Sequence, residues 1–186
     1  MKTLILIMIL SPCAMKIPQI KIPNRPYTVF VTPKQSIEWV SMVETVKSCE
    51  GYHSRKYRCP AGVLTIGYGH TQKAKEFSFV NETKAHELLI ADLEKAEAAV
   101  NRIVTVPLNE GQKAALVSFT FNCGASNLKQ LVSGPNRLNS GNYDSVEEIL
   151  PLYRRANGKI LRGLVERRKK ELTLWRSSGN LIASNQ

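Results

Sequence analysis

The first strong hydrophobic pattern in the chain is a helical stripe that ends at a glutamate. Five residues fall at the spacing of one helix face: Trp39, Met42, Val43, Val46 and Glu50. Residues 32–35 form a Thr-x-x-Gln capping box with Pro at the first helical position, so we predict that the folded domain and its first helix begin at Thr32. Gly51 ends this helix and leaves the Glu50 carboxyl at its C-terminal end.

The segment after this helix alternates between apolar and polar positions, as strands do. The alternation covers residues 57–71 and is interrupted at residues 60–62 by Pro-Ala-Gly, which predicts a β-hairpin turn. Beyond the turn, one strand face is predicted to carry Thr65, Gly67 and Gly69. Such a face is a floor for a flat ligand, although a bulge or tight packing also explains the glycines. His70, on the other face, is expected to be a hydrogen-bonded structural histidine.

Three more helical patterns follow. Residues 81–100 have one apolar face, and a length of about 30 Å suits a strut between two lobes. Asn109 and Gln112 cap the next helix, which we expect to end at residues 122–124, where Asn and Gly can adopt the left-handed conformation. A last amphipathic helix carries Leu161, Leu164, Val165, Leu172 and Trp175. Helices dominate and one small sheet lies near the start, so the predicted fold class is α+β, mainly α.

The N-terminal residues do not follow the pattern of a packed domain. The apolar run Leu4 to Leu10 is too short to span a bilayer and lies at the lower limit for a secretory signal, so export and an idle N-terminus both stay open. The Pro-containing stretch from Lys16 to Thr32 predicts an extended tether. The expected division is residues 1–31 as N-terminal segment and tether, 32–179 as the domain and 180–186 as a tail.

Charge narrows the class of partner. The 186 residues include 26 Lys and Arg against 15 Asp and Glu, which gives a net charge of +11. A polyanionic partner is expected: nucleic acid, an anionic membrane or a bacterial cell wall. The sequence has no zinc-ligand spacing, no phosphate-binding loop and no interleaved basic and aromatic motif, which counts against nucleic acid.

Glu50, Cys59 and Thr65 are the candidate reactive groups. A helix C-terminus and an apolar neighbourhood both favour the protonated form of Glu50, as a general acid requires. The predicted hairpin brings Cys59 and Thr65 together in front of the helix end. No carboxylate lies between Glu50 and Glu76, whereas Cys59 supplies a thiol there. Nearby cations would favour its thiolate: His53, Arg55, Lys56 and Arg58. Taken singly, Glu50 also fits a surface position and Cys59 a small buried side chain.

Several sequence blocks occur together in a characteristic order. They are EG at Glu50, CPAG at Cys59, TIGYGHT at Thr65, NETKAHELLIADLEKAEAAV at Asn81, NEGQKAALVSFTFNCG at Asn109, LNSGNY at Leu138 and GKILRGLVERRKKELTLW at Gly158. These blocks closely resemble the phage-type lysozymes, the bacteriophage endolysins whose active site is Glu, eight residues, Asp or Cys, five residues, Thr. The resemblance covers residues 32–179, and Cys59 stands where the best-known members have Asp.

The resemblance implies a two-lobed fold, in which a long helix joins a small N-terminal β-sheet lobe to a helical C-terminal lobe and the glycan lies between them. It implies hydrolysis of the β-1,4 bond between N-acetylmuramic acid and N-acetylglucosamine in peptidoglycan, with lysis of the host cell. By position, Glu50 matches the general acid, Cys59 the group paired with the attacking water and Thr65 the hydroxyl that places this water. The matching substrate-binding residues are Gly69, Thr71, Phe121 and Asn122.

The expected partners and location follow from this resemblance. We expect no metal and no cofactor, and a monomer that binds peptidoglycan glycan strands and the anionic wall surface rather than nucleic acid. The expected location is the host bacterial cytoplasm, with release to the periplasm or cell wall at lysis. We also hypothesise that Cys59 pairs with Cys49 or Cys13 in an oxidising periplasm and that reduction or exchange frees the active site.

Two other functions fit parts of the sequence. A lytic transglycosylase needs one acid and forms an anhydro sugar without water, although Cys59 and Thr65 count against it. A non-catalytic protein that binds the cell wall or nucleic acid would use the cationic region from Arg154 to Arg176 as its surface, whereas the same charges also fit a solvated helix face.

Overall fold

The N-terminal part of the chain contains a short hairpin. The structure, a computed structural model, describes residues 19–21, 28–30, 36–59, 62–156 and 158–177. The chain divides into two compact units, residues 1–37 and 38–186. In the first, β1 (Gln19–Lys21) pairs antiparallel with β2 (Thr28–Phe30). An extended tether was predicted for this stretch; these six residues are extended and also pair, and their β-branched and aromatic members favour strands. The apolar run from Leu4 and the residue Cys13 lie outside the described residues.

The first helix ends as its sequence predicts. Helix α1 (Ile37–Glu50) buries Met42, Val43 and Val46, whereas the predicted cap at residues 32–35 lies outside the described part of the chain. At the other end, Gly51 has a φ of +73°, and its N–H donates to the Lys47 carbonyl at 3.0 Å. This left-handed glycine stops the helix. Glu50 is therefore its last residue, with a side chain that is 21% exposed.

The predicted hairpin is confirmed. Strands β3 (His53–Arg58) and β4 (Leu64–Gly67) pair antiparallel, with Tyr57 opposite Thr65. In the turn between them, the Gly62 N–H donates to the Cys59 carbonyl at 2.7 Å. Side chains directly opposite each other in an antiparallel pair share one face of the sheet, so Tyr57 and Thr65 face the same side.

The flat glycine floor predicted beyond the turn is wrong. Strand β4 ends at Gly67, and Tyr68 and Gly69 form a turn in which Ile66 and His70 exchange two backbone hydrogen bonds of 3.0 Å. Gly67 has a φ of +64°, and a Cβ there would lie 3.1 Å from the Cβ of Ala85. Tight packing against the following helix, which carries Ala85, thus explains this glycine.

A long helix connects the hairpin to the helical part of the molecule. Helix α2 (Glu82–Ile103) begins at Asn81, whose side chain accepts from the Lys84 N–H at 2.8 Å. As predicted, it has one buried apolar face, which consists of Ala85, Leu89, Leu93, Ala96, Ala99 and Val100. The helix contacts β4 on one side and α3 (Glu110–Val132) on the other. The two-lobed, mainly helical fold is confirmed.

Helix α3 starts at its predicted cap and continues past its predicted end. Asn109 and Gln112 form a capping box. Gly124 leaves the helical region with φ 82° and ψ 163°, a conformation open to glycine but different from the left-handed C-cap that was predicted. The chain then resumes a helix up to Val132, so Gly124 is a kink inside α3. The signal for a helix end was real, but a second apolar helical stretch follows it at once.

The C-terminal elements complete the helical lobe. They are α4 (Asp144–Ile149), the short pair β5 (Arg155–Ala156) and β6 (Lys159–Ile160), and α5 (Arg162–Ser177). The sheets among the described residues therefore number three rather than the one predicted. No helix in the described segments is long and apolar enough to cross a membrane.

The buried face of α5 differs from the predicted apolar stripe. Trp175 is buried, but Leu161 is 39% exposed. The most deeply buried positions instead belong to three charged residues, Arg167, Arg168 and Glu171, at 3%, 1% and 0% exposure. The charges of these residues are paired with one another and with Glu50, which a search for apolar periodicity cannot detect. Because two of its arginines are enclosed, α5 is a poorer cationic surface than its composition suggests.

Candidate active site

All seven predicted site residues line one cleft of about 480 Å³. Glu50 comes from the end of α1, Cys59 and Thr65 from the hairpin, and Gly69 and Thr71 from the turn after β4. Phe121 and Asn122 face them from α3, and α2 contributes Asp92, Lys95, Ala96 and Ala99. The cleft therefore lies between the hairpin lobe and the helical lobe.

Glu50 is enclosed by a glycine and an arginine. A Cβ on Gly69 would lie 3.1 Å from Glu50 Oε2, and the φ of Gly69 is +88°. The space and the backbone conformation at this position thus both require glycine. The other carboxylate oxygen, Oε1, accepts a hydrogen bond from Arg167 Nη1. Arg167 therefore lies directly against the carboxyl group of Glu50.

Arg167 contacts Glu50 and was not predicted as a site residue. Its Nε lies 3.3 Å from Glu171 Oε1, and its guanidinium lies over the Phe121 ring at 5.7 Å. Burial lowers the pKa of Arg167, but the Glu50 and Glu171 carboxylates raise it by more, so the net shift is upward. Arg167 and Glu50 are 117 positions apart. The sequence feature that could have identified Arg167 is Arg-Arg-x-x-Glu on an amphipathic helix, where charged residues occupy positions of the buried face.

The hairpin side of the cleft contributes Tyr57 beside Cys59 and Thr65. Thr65 is buried, and its Oγ1 donates to the Val63 carbonyl at 3.0 Å. Burial raises the pKa of Tyr57, and the charges of Glu50 and Cys59 raise it further, so its phenol keeps its proton at neutral pH. Tyr57 was missed as well. Strand alternation, which places it two residues before Cys59, could have identified it.

The cations near Cys59 have other contacts. Arg58 donates from Nη1 to the Gly62 carbonyl at 2.8 Å, so it supports the hairpin turn. The His53 ring lies 4.1 Å from the Tyr57 ring, and Arg55 and Lys56 are exposed. Stabilisation of a Cys59 thiolate by these residues stays a prediction.

Three cysteines lie in the described part of the chain, and all are thiols: Cys49, Cys59 and Cys123. The hypothesised bond between Cys49 and Cys59 is therefore not formed in this structure, and the alternative partner Cys13 lies outside the described residues. Burial raises the pKa of Cys123, and the adjacent Arg168 opposes that shift. Cys123 is consequently a protonated, half-buried thiol behind the cleft wall.

His70 has the hydrogen-bonded role predicted for it. It is 5% exposed, and its Nδ1 lies 2.6 Å from Asp92 Oδ2. Asp92 also accepts from Lys95 Nζ at 3.0 Å, and Lys95 reaches Gln72 Oε1 at 2.7 Å. These contacts join the turn after β4 to α2 and thereby fix one wall of the cleft.

Comparison with known proteins identifies the family. The Phage lysozyme family model matches residues 47–171. The SAR-endolysin of Escherichia phage Mu is 35% identical over 123 residues, which is 66% of this chain and 71% of that protein. The endolysin of Salmonella phage P22 is 34% identical over 143 residues, or 73% of this chain and 94% of that one.

A solved structure gives the same result for the fold. The muramidase domain of SpmX from Asticaccaulis excentricus superimposes with a TM-score of 0.67 and 34% identity, over 77% of this chain and 99% of that domain. The region that the family model matches, residues 47–171, contains the hairpin, α2, α3 and most of α5, and therefore the whole cleft. The chain belongs to the phage lysozyme family and is a lysozyme, a glycoside hydrolase that degrades peptidoglycan.

Proposed function

We propose that the enzyme hydrolyses the β-1,4 bond between N-acetylmuramic acid and N-acetylglucosamine, with Glu50 as general acid and a water activated by Cys59 and Thr65. The observation that carries the proposal is the convergence of these three residues on one cleft between the lobes. The net charge of +11 also favours approach to an anionic wall.

The reaction needs a proton for the leaving oxygen and a nucleophile at the anomeric carbon. Glu50 donates the proton, and Arg167 then stabilises the carboxylate that remains. The Thr65 hydroxyl already donates to the Val63 carbonyl, so its oxygen is available as an acceptor that orients a water O–H. The Cys59 thiolate accepts the second proton. Attack by this water inverts the anomeric centre, whereas direct attack by the Cys59 sulfur would retain it.

Substitutions of Cys59 test its role. We expect Cys59→Ser to lower the rate of peptidoglycan clearing by on the order of 100-fold, because a serine hydroxyl is not a base at neutral pH. Cys59→Asp restores a base and is expected to recover most of the rate. Turbidity loss of purified peptidoglycan measures both, with Cys49→Ser as the matched control. Activity of Cys59→Ser equal to that of wild type would exclude the role, and parallel assays with and without reductant test the redox hypothesis.

Substitution of Gly69 tests the position of Glu50. Gly69→Ala is expected to lose about 1–2 kcal/mol of stability through its positive φ. It is also expected to lose roughly 100-fold in rate, because the added methyl displaces the Glu50 carboxyl. Gly158→Ala is the matched control, since Gly158 has a φ of +75° and no atom within 4 Å of the added Cβ. Equal activity of the two variants after correction for folding would show that Gly69 does not position the acid.

The products separate hydrolysis from transglycosylation. Mass spectrometry of the released fragments is expected to show reducing N-acetylmuramic acid ends, which carry one added water relative to anhydro sugars. Anhydro products would favour the transglycosylase. The cationic binding protein is disfavoured by the burial of Arg167 and Arg168 inside the molecule.

The names of two relatives support a proposal about the site of action. The phage Mu protein and that of Bacteriophage PS119 are both named SAR-endolysin. We infer that this enzyme likewise reaches the periplasm and acts on the wall at lysis. The monomeric state and the lack of nucleic-acid binding stay predictions.

A further inference from the structure

The amide of Asn122 is held in one orientation by a buried arginine. Its Oδ1 accepts from Arg168 Nη2 at 3.0 Å and from the Cys123 thiol at 3.5 Å. A guanidinium has only donors, so the amide atom that faces it must be the oxygen. The NH₂ group of Asn122 consequently points away from Arg168, on a residue that is exposed and lines the cleft.

Arg168 is itself fixed on several sides. It is 1% exposed, its guanidinium lies over the Phe119 ring at 5.0 Å, and its Nη1 lies 3.0 Å from Cys123 Sγ. Its Nε lies 2.8 Å from Glu171 Oε2, and its Nη2 lies 3.0 Å from Glu171 Oε1. These contacts restrain the Arg168 guanidinium, which in turn restrains the Asn122 amide.

Glu171 serves both arginines at once. It is fully buried, and it accepts from Ser118 Oγ at 2.8 Å as well as from Arg167 and Arg168. Burial raises the pKa of Glu171, and the two guanidiniums oppose that shift. One carboxylate thus orients Arg167 towards Glu50 and Arg168 towards Asn122.

We propose that Arg168, held by Glu171, is a positioning residue that fixes Asn122 as a hydrogen-bond donor and so makes the cleft selective for the carbonyl oxygen of an N-acetyl group on the glycan. This inference rests on the proposed binding of the glycan in the cleft. A sugar hydroxyl both donates and accepts, and it can satisfy an amide in either orientation. An acetamido carbonyl only accepts, so a fixed donor distinguishes acetylated from deacetylated sugar.

The test compares acetylated peptidoglycan with the same material after N-deacetylation. We expect wild type to prefer the acetylated form. In Asn122→Ala this ratio of kcat/KM values is expected to fall by about three- to tenfold, through KM more than kcat, because one neutral hydrogen bond is lost. Asn122→Asp still accepts from Arg168 but presents an acceptor to the cleft, so its activity on acetylated glycan should be lower than that of Asn122→Ala.

Arg168→Lys tests the positioning step. Lysine keeps the charge beside Glu171 but cannot hold Glu171, Cys123 and Asn122 together, since it lacks the planar fork. We expect the acetyl preference to fall as it does in Asn122→Ala, with the pH profile unchanged. The matched control is Asn127→Ala, which removes an amide that donates to the Cys123 carbonyl at 2.7 Å outside the cleft. Its acetyl preference should equal that of wild type.

Each outcome decides the proposal. An unchanged preference in Asn122→Ala overturns it, and so does a lost preference in Asn122→Ala that Arg168→Lys retains. If Arg168→Lys does not fold, the order of Asn122→Asp and Asn122→Ala still decides, because equal or higher activity of the aspartate variant contradicts a fixed acceptor towards Arg168. A wild-type protein that cleaves neither glycan refutes the proposed function instead.

Discussion

Replacing Glu50 with Gln is expected to reduce peptidoglycan hydrolysis by on the order of 10²–10⁴-fold, the usual contribution of a general acid. Glutamine keeps the size of the side chain and still accepts from Arg167, but it has no proton to give to the leaving oxygen. The loss should appear in kcat, with KM nearly unchanged, because the shape of the cleft is preserved. Turbidity loss and the release of reducing ends both measure it.

The matched control for Glu50→Gln is Glu87→Gln on α2. Glu87 is 59% exposed and pairs with Lys84 at 2.9 Å away from the cleft lining. Its replacement removes the same charge and should leave the rate within about twofold, since an exposed pair contributes little. Substantial lysis by Glu50→Gln would show that another group protonates the leaving oxygen.

Replacing Glu171 with Ala is expected to destabilise the protein by about 3–5 kcal/mol, because two buried guanidiniums lose their shared carboxylate. Denaturant unfolding measures this loss. Glu166→Gln on the same helix is the control: Glu166 is 53% exposed and pairs with Lys169 at 3.0 Å, so a change of about 0–1 kcal/mol is expected.

A double substitution separates charge from packing in this cluster. Arg168→Met combined with Glu171→Leu removes one charge of each sign and leaves Arg167 paired with Glu50. We expect the double variant to be more stable than Glu171→Ala, because no buried charge is left without a partner. A Glu171→Ala protein within about 1 kcal/mol of wild type would show that the cluster tolerates the imbalance, contrary to its burial.

Local signals predicted the elements that carry the reactive groups. Gly51 stops α1 after Glu50, and Asn81 and Asn109 cap α2 and α3, because glycine conformation and side-chain caps act within a few residues. The resemblance assigned Phe121 and Asn122 to the cleft, and both line the same cleft as Glu50.

The features that were missed depend on residues distant in sequence. Arg167 comes from α5 and contacts Glu50 at the end of α1. It is buried together with Glu171, whereas charged residues usually lie at the surface. Gly67 and Gly69 fit strand alternation, but their positive φ values form a turn, and only the positions of Ala85 and Glu50 show why. The two-residue alternation of a strand cannot distinguish a glycine within a strand from a glycine in a turn.

The separation of Glu50 from Arg167 has a consequence during synthesis. A ribosome makes α1 and the hairpin early and α5 only after α2, α3 and α4. The ion pair between Glu50 and Arg167 therefore cannot form on a nascent chain until α5 has emerged from the exit tunnel. The contacts around the Glu50 carboxyl are thus completed late in synthesis.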